Sequence, residues 1–217
     1  NLVQEMPAWS AVPAERAMAF SLLQVDSVLS LCDDGAGSIK VLDDFPDSAP
    51  VHMRCAEHPF GKGRSKLAYY AQIASSPAAT DVPHCVLKQS VFSTRCYGTK
   101  EKFEEFLAPQ RAAHFLSDAF NKGRPASTPR VEFVPTRLVQ FLARPDRPYY
   151  IEEKFISGEW ERYNNNTGYC APFPTPLGTN HRAVQAFSHW THHVSGEKLM
   201  VVDCQGCFDA ARNAFVL

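Results

Sequence analysis

Asp203 and Gln205 lie in the run Leu199-Met200-Val201-Val202-Asp203-Cys204-Gln205-Gly206, which appends a carboxylate and an amide to four apolar residues. Such a run is too short for a helix of its own. It reads as a buried strand delivering Asp203 to its carboxyl end, where polar groups commonly face ligand clefts. A second cluster is Gly61-Lys62-Gly63-Arg64. Two glycines let backbone N–H groups approach an anion, and Lys62 and Arg64 add charge, an arrangement suited to cradling phosphate. The turn matches neither the Walker pattern nor a full GxGxxG. Lys88, in Cys85-Val-Leu-Lys-Gln89, alternates with Leu87 and could be aimed into a cleft; a surface lysine is the plainer reading. Glu153, near the end of another strand-like run, is either a solvated carboxylate or a group facing a nucleotide.

A metal reading arises from His189, His192 and His193 on one expected helix and from the pair Cys204-Gln-Gly-Cys207. Residues three or four apart share a helix face, so His189 with His192 or His193 could chelate zinc. The spacing is not HExxH, and a CxxC within a strand need not point both thiols at one ion. Ordinary buried or solvated side chains are the simpler fate, and a redox CxxC would open a helix. Asn165-Asn166-Thr167 is formally a glycosylation sequon but reads as loop chemistry, since consecutive asparagines favour turns. Their amides could also line a polar site.

The elements that must position these groups follow from periodicity. Ala183, Ala186, Phe187, Trp190 and Val194 recur at helical spacing, and Gly196 sits where a left-handed residue would close a helix ending near Ser195. Ala14 to Cys32 is helix-like and apolar, and DDGAGS follows it as a loop. PFGKGRSKLAYYAQI predicts a Gly-rich turn between strands, and HCVLKQSVF a further strand. A helix starts over Lys100 to Leu107. Pro109 fits the first turn of a second one, with the stripe Ala112, Phe115, Leu116, Ala119 and Phe120 and a stop at Asn121 to Gly123. VEFVPTRLVQFLA and YYIEEKF predict two more strands, and the stretch from YNNNTG through CAPFPTPLGTN is irregular. No internal repeat is evident.

With 217 residues, 45% of them hydrophobic and 21% charged, the chain can bury a substantial core as one large domain or two lobes. A net charge of -1 gives no global reason to expect nucleic acid or an anionic membrane as partner. No apolar run approaches the ~20 residues that cross a bilayer. The Asn1 start has neither a charged nor an apolar leader region, so the sequence reads as excised from a longer protein. Seven scattered cysteines, an odd number, favour reduced thiols and a cytoplasmic setting.

Taken in order, PFGKGR, VLKQS, IEEKFISGEWERYNNNTG and QAFSHWTHHVSGEKLMVVDCQG resemble the alpha-kinase family of atypical protein kinases, over roughly Arg54 to Leu217 and most strongly over Phe155 to Gly206. The resemblance implies an α+β, two-lobed protein-kinase-like fold. Residues 1–40 would form a helical extension, 41–148 the N-lobe, and 149–217 the hinge and a partial, truncated C-lobe. It also implies transfer of the γ-phosphoryl group of ATP to a serine or threonine of an unidentified protein substrate. Lys88 would contact the phosphates, with Gly61, Gly63 and Arg64 in the turn above them, and Glu153 would lie at the hinge beside adenine. Asp203 would be the catalytic aspartate, Gln205 would help hold Mg²⁺, and His189 matches a family ligand of structural zinc. Family members continue to a Thr-Asp-Pro motif and a zinc-binding Cys/His segment, whereas this sequence stops at Leu217. Zn²⁺ is therefore expected only with a downstream ligand segment. Of two explanations, a fragment of a complete kinase is favoured over an inactive binding or scaffolding form, because Phe215, Val216 and Leu217 would make an exposed apolar end.

Overall fold

The computed structural model describes residues 5–20, 48–74, 76, 78, 82–91 and 100–217. In chain order its elements are β1 (Glu15–Phe20), β2 (Ser48–Cys55), β3 (Gly61–Lys62), β4 (Lys66–Ala74), β5 (His84–Ser90), α1 (Lys100–Gly123), β6 (Arg130–Glu132), β7 (Thr136–Phe141), β8 (Tyr149–Lys154), β9 (Glu161–Arg162), α2 (Arg182–Val194), β10 (Gln205–Asp209) and β11 (Ala214–Val216). The described residues divide into two compact units, one within Asn1–Leu23, Val41–Ala108 and Pro135–Phe155, the other within Pro109–Val134 and Ile156–Leu217. No described helix is long and apolar enough to cross a membrane.

The first unit is an antiparallel sheet in the order β2-β1-β7-β8-β5-β4-β3. Residues 48–53 of β2 pair with β1, and residues 52–55 of the same strand pair with β4, so the sheet curls back on itself as a small barrel. Alternation then sends one set of side chains inward. Ala17, Ala19, Met53, Ala71, Leu87, Val139, Phe141 and Tyr150 form that core. Small residues on β1 admit the large rings of Phe141 and Tyr150, whose centroids lie 5.3 Å apart edge to face.

Two expectations fail here. The helix read into Ala14 to Cys32 is a strand over Glu15–Phe20, paired on both sides with β2 and β7; the remainder lies outside the described residues. A short apolar run carries no decisive period, and the available sheet edges decided it. The boundaries 1–40, 41–148 and 149–217 are also corrected. β1 belongs to the first sheet, β8 is one of its interior strands, and Pro109–Val134 belongs to the second unit.

The second unit holds a small sheet in the order β6-β11-β10-β9, with β11 parallel to β6 and the other pairings antiparallel. Its core packs Leu116 of α1 and Val184 and Phe187 of α2 with Val131, Tyr163 and Phe215. α1 is one helix rather than the expected two, with Pro109 inside it. Asn121 ends its last turn by clamping β6: Nδ2 donates to the Val131 carbonyl at 2.7 Å, and Oδ1 accepts from the Val131 N–H at 3.1 Å. The single strand expected over VEFVPTRLVQFLA is split. β6 joins this sheet and β7 the other, with Pro135, which has no N–H to donate, between them.

The apolar end expected to be exposed is instead packed: Phe215 is 0% and Leu217 6% accessible. The Leu217 N–H donates to the Glu132 carbonyl at 2.8 Å, and its carbonyl accepts from Val134 at 2.9 Å. β11 lies so close to β10 that a Cβ added at Gly206 would stand 2.0 Å from the Val216 carbonyl oxygen, so only glycine fits.

Candidate functional site

In the first unit β3 and β4 form the expected Gly-rich hairpin. The Gly63 N–H donates to the Lys66 carbonyl at 2.8 Å, and Gly61 stands opposite Ala68. Arg64, expected to fork onto phosphate, is exposed in that turn and makes no ion pair among the described residues. The cation that sheet register places beside Lys88 is Lys66. Ala68 pairs with Lys88, so Lys66, two residues earlier in β4, shares its face. Burial lowers the Lys66 pKa below 10.5; the charge of Lys88 lowers it further, and Glu153 opposes the shift. Alternation along GKGRSKLAY was the signal that could have singled out Lys66.

Glu153 is not a solvated carboxylate, and in the chain it lies close to the division between the two units at Phe155–Ile156. It is 7% accessible, and its Oε2 lies 2.5 Å from Lys88 Nζ. β5 and β8 pair Val86 with Glu153 and Lys88 with Ile151, so the ion pair runs diagonally across two strands. Lys66 lies near both, and lysines gathered on one sheet face beside a glycine turn are suited to an anion.

In the second unit α2 ends as the sequence predicts. The Gly196 N–H donates to the His193 carbonyl at 3.1 Å and the Glu197 N–H to the His192 carbonyl at 2.9 Å, with Gly196 left-handed at φ 61°. The buried face differs in part: Ala183, Val184, Phe187, Ser188 and Thr191 face inward, while Ala186 and Val194 are exposed.

The expected strand over Leu199 to Val202 does not form. Two of its N–H groups are taken by hydroxyls of α2 and its cap, Leu199 by Ser195 Oγ at 3.1 Å and Val201 by Thr191 Oγ1 at 3.0 Å. Strapped along the helix, this segment makes no sheet ladder. The strand starts at Gln205, so Asp203 precedes a strand rather than ending one. Asp203 is exposed and left-handed, at φ 59°, a conformation that Asp tolerates better than most residues.

What fixes the Asp203 backbone is Asn164, which sequence reasoning left as one of several loop amides. Its Oδ1 accepts from the Cys204 N–H at 2.9 Å, and its Nδ2 donates to Gln185 Oε1 and Ser188 Oγ, both at 3.1 Å. Gln185 Nε2 in turn lies 3.0 Å from His181 Nδ1, and His181 Nε2 lies 3.1 Å from two backbone carbonyls. His181 is 0% accessible and stacked on Phe173 at 4.1 Å. These contacts fit one tautomer, with the proton on Nε2 and Nδ1 accepting. The relay from His181 to Cys204 is uncharged throughout.

Gln205 pairs across the sheet with Arg162, and its Oε1 accepts from Arg162 Nη2 at 3.2 Å. A guanidinium on the amide oxygen is a poor neighbour for a divalent cation, which also wants carboxylate ligands. Mg²⁺ does not fit Gln205 as it stands. His189, His192 and His193 are exposed, and no group of three metal-binding side chains stands together among the described residues. The five described cysteines are free. Cys204 and Cys207 are buried; desolvation pushes the Cys204 thiol up to about 11 and also raises Cys207, the reverse of what a reactive CxxC needs. Cys32 and Cys96 lie outside the described residues.

Comparison with known proteins identifies the framework. The alpha-kinase family profile matches residues 61–216. The chain is 28% identical over 158 residues to alpha-protein kinase vwkA of Dictyostelium discoideum, covering 72% of this chain and 24% of that protein. It is 29% identical over 166 residues to human eukaryotic elongation factor 2 kinase, covering 73% and 21% respectively. The chain thus spans about a quarter or less of the length of these curated relatives. Its fold is similar to that of an alpha kinase from Entamoeba histolytica, with a TM-score of 0.69 at 17% identity over 94% of this chain and 78% of that one. It is also similar to the alpha-kinase domain of myosin heavy chain kinase A solved with ADP, at TM-score 0.66 and 18% identity, covering 95% and 82%. With the family profile extending from the Gly-rich hairpin to β11 and the fold shared with solved alpha-kinase domains, the chain belongs to the alpha-kinase family.

Proposed function

We propose that this chain is the nucleotide-binding and catalytic part of a protein kinase that transfers the γ-phosphoryl group of ATP to a serine or threonine hydroxyl. The observation that carries the reading is the Lys88–Glu153 pair at 2.5 Å with Lys66 on the same sheet face beside the Gly61–Gly63 turn. Lys66 and Lys88 would hold phosphate oxygens as point charges, and Glu153 would keep Lys88 extended along the face. Asp203 would orient the acceptor hydroxyl and take up its proton as the new P–O bond forms and the bond to the leaving ADP oxygen breaks. In such transfers positioning and charge neutralisation supply most of the acceleration. A divalent cation ordinarily accompanies ATP in this chemistry; since Mg²⁺ does not fit Gln205 in its present pairing with Arg162, no step is assigned to it. The partner would be a protein substrate met in the cytoplasm, in keeping with the free thiols.

The test is incubation of the 217-residue chain with Mg²⁺-ATP and a Ser/Thr-rich acceptor, read by mass. Phosphate incorporation that disappears in Asp203→Asn, with the thermal transition retained, is the expected result. Undiminished incorporation in that variant would refute the mechanism. The Arg162–Gln205 contact favours a second reading, a binding module that holds nucleotide without transfer. It predicts thermal stabilisation by ATP, about 2.7 kcal/mol at 100 times the dissociation constant, with no product.

A further inference from the structure

The two ends of the first unit's barrel are finished differently. At one end Arg144 donates through Nε and Nη2 to both Glu15 oxygens at 2.8 and 2.5 Å, and through Nη1 to the Tyr150 hydroxyl at 3.2 Å. Its guanidinium carbon lies 3.8 Å from the centre of the Phe141 ring. Every nitrogen has a partner, and that end is shut. At the other end, where β4 and β8 finish and β5 and β7 begin, Arg137 Nε donates to Glu152 Oε2 at 2.6 Å. Glu152 is 5% accessible, but the Arg137 side chain is 40% exposed, and its two Nη groups have no partner among the described residues.

Arg137 lines a cavity of about 590 Å³ whose walls include Ile73, Val82, Cys85 and Phe155. That size lies within the usual range for small-molecule sites of roughly 300–1,000 Å³, and barrel mouths are a recurrent place for them. Lys154 lines the same cavity, so among the described residues two cations stand there with the carboxylate of Glu152. A guanidinium that has spent one nitrogen on a buried carboxylate still presents a two-pronged edge, which matches carboxylate or phosphate oxygens. Glu152 and Glu153 are consecutive in β8, so their side chains leave on opposite faces of the sheet. This mouth is therefore separate from the Lys88 face.

We propose that the Arg137–Glu152 mouth of the barrel binds a small organic anion, a carboxylate or phosphate monoester on an apolar body. The anionic group seats on the Arg137 Nη edge with Lys154 beside it, and the body lies against Ile73, Val82 and Phe155.

Titration of the ¹⁵N-labelled chain with 4-phenylbutyrate, phenyl phosphate and the neutral 4-phenylbutanol tests this. Saturable shifts of the Ile73, Cys85, Arg137 and Glu152 amides are expected with both anions, and binding of the alcohol weaker by about tenfold or more. The double variant Arg137→Met with Glu152→Met removes the donor edge without stranding a buried charge, and it should reduce anion binding to the level of the alcohol. Absence of saturable shifts at Arg137 and Glu152 overturns the proposal, as does alcohol binding equal to that of the anions. Unchanged anion affinity in the folded double variant does the same. Should that variant not fold, the anion-to-alcohol ratio on the unaltered chain decides alone.

Discussion

Lys88 and Asp203 are the two residues on which the proposed phosphoryl transfer leans most, and the units hold them by different physics. Lys88 is fixed by charge, through a 2.5 Å contact with the nearly buried Glu153 and with Lys66 repelling from the same face. Asp203 is fixed by neutral groups, because the amide of Asn164 pins the next residue and the chain of Gln185 and His181 pins Asn164. An arrangement built on charge adapts to an arriving anion but holds internal repulsion until one arrives. One built on amides stores no such repulsion and depends instead on close packing, so geometry rather than charge is what would break it.

The largest effect is therefore expected from a steric change in the second unit. Gly206→Ala would drive a Cβ into the Val216 carbonyl and part β10 from β11, costing about 4 kcal/mol or more, read as a collapse of the urea midpoint. Next comes Asn164→Ala, which strands the buried Cys204 N–H and should cost about 3 kcal/mol in the same measurement. It should also reduce phosphate transfer in protein that remains folded. A stability loss below that of Glu153→Gln would undo the comparison.

Glu153→Gln keeps the shape but leaves the Lys88 ammonium without its counter-charge. Since Lys88 is partly exposed, a smaller loss of about 2 kcal/mol is expected, with weaker ATP binding in a thermal-shift titration. The smallest effect has the opposite sign. Because burial and Lys88 depress the folded-state pKa of Lys66 below 10.5, the unfolded chain binds more protons between the two values, and stability rises as pH climbs through that window. Lys66→Met should remove that rise in an alkaline series and raise Tm slightly at neutral pH, while ATP binds less well. A lower Tm in this variant would show that the face is not under repulsion.

Local elements whose causes are local were legible. Gly196 closes α2 because a left-handed residue was required there, the Gly61–Gly63 turn joins two strands, and Asn165 makes the turn expected of an asparagine run, accepting from Thr167 and Tyr169 N–H groups at 2.9 and 2.8 Å. Wrong assignments arose where a distant partner decided. Glu15–Phe20 became a strand because β2 and β7 offered edges on both sides. Leu199 to Val202 lost its ladder because Thr191 and Ser195 hydroxyls satisfied its backbone first. Arg64 gave way to Lys66 because the β4–β5 register, not proximity to the glycines, selects the side chains that share a face.

By itself the sequence determined the family, through ordered motifs from PFGKGR to VVDCQG, and with it the residues worth testing. Short-range chemistry writes glycine turns, caps and alternation directly into adjacent residues. Only the tertiary structure decided that Glu153 serves Lys88, that Asn164 holds the backbone beside Asp203, that Arg162 occupies Gln205, and that Arg137 keeps an open edge at the barrel mouth. The first three of those contacts join residues 40 or more positions apart in the chain. Their register is set by sheet closure and core packing, which no window of sequence contains.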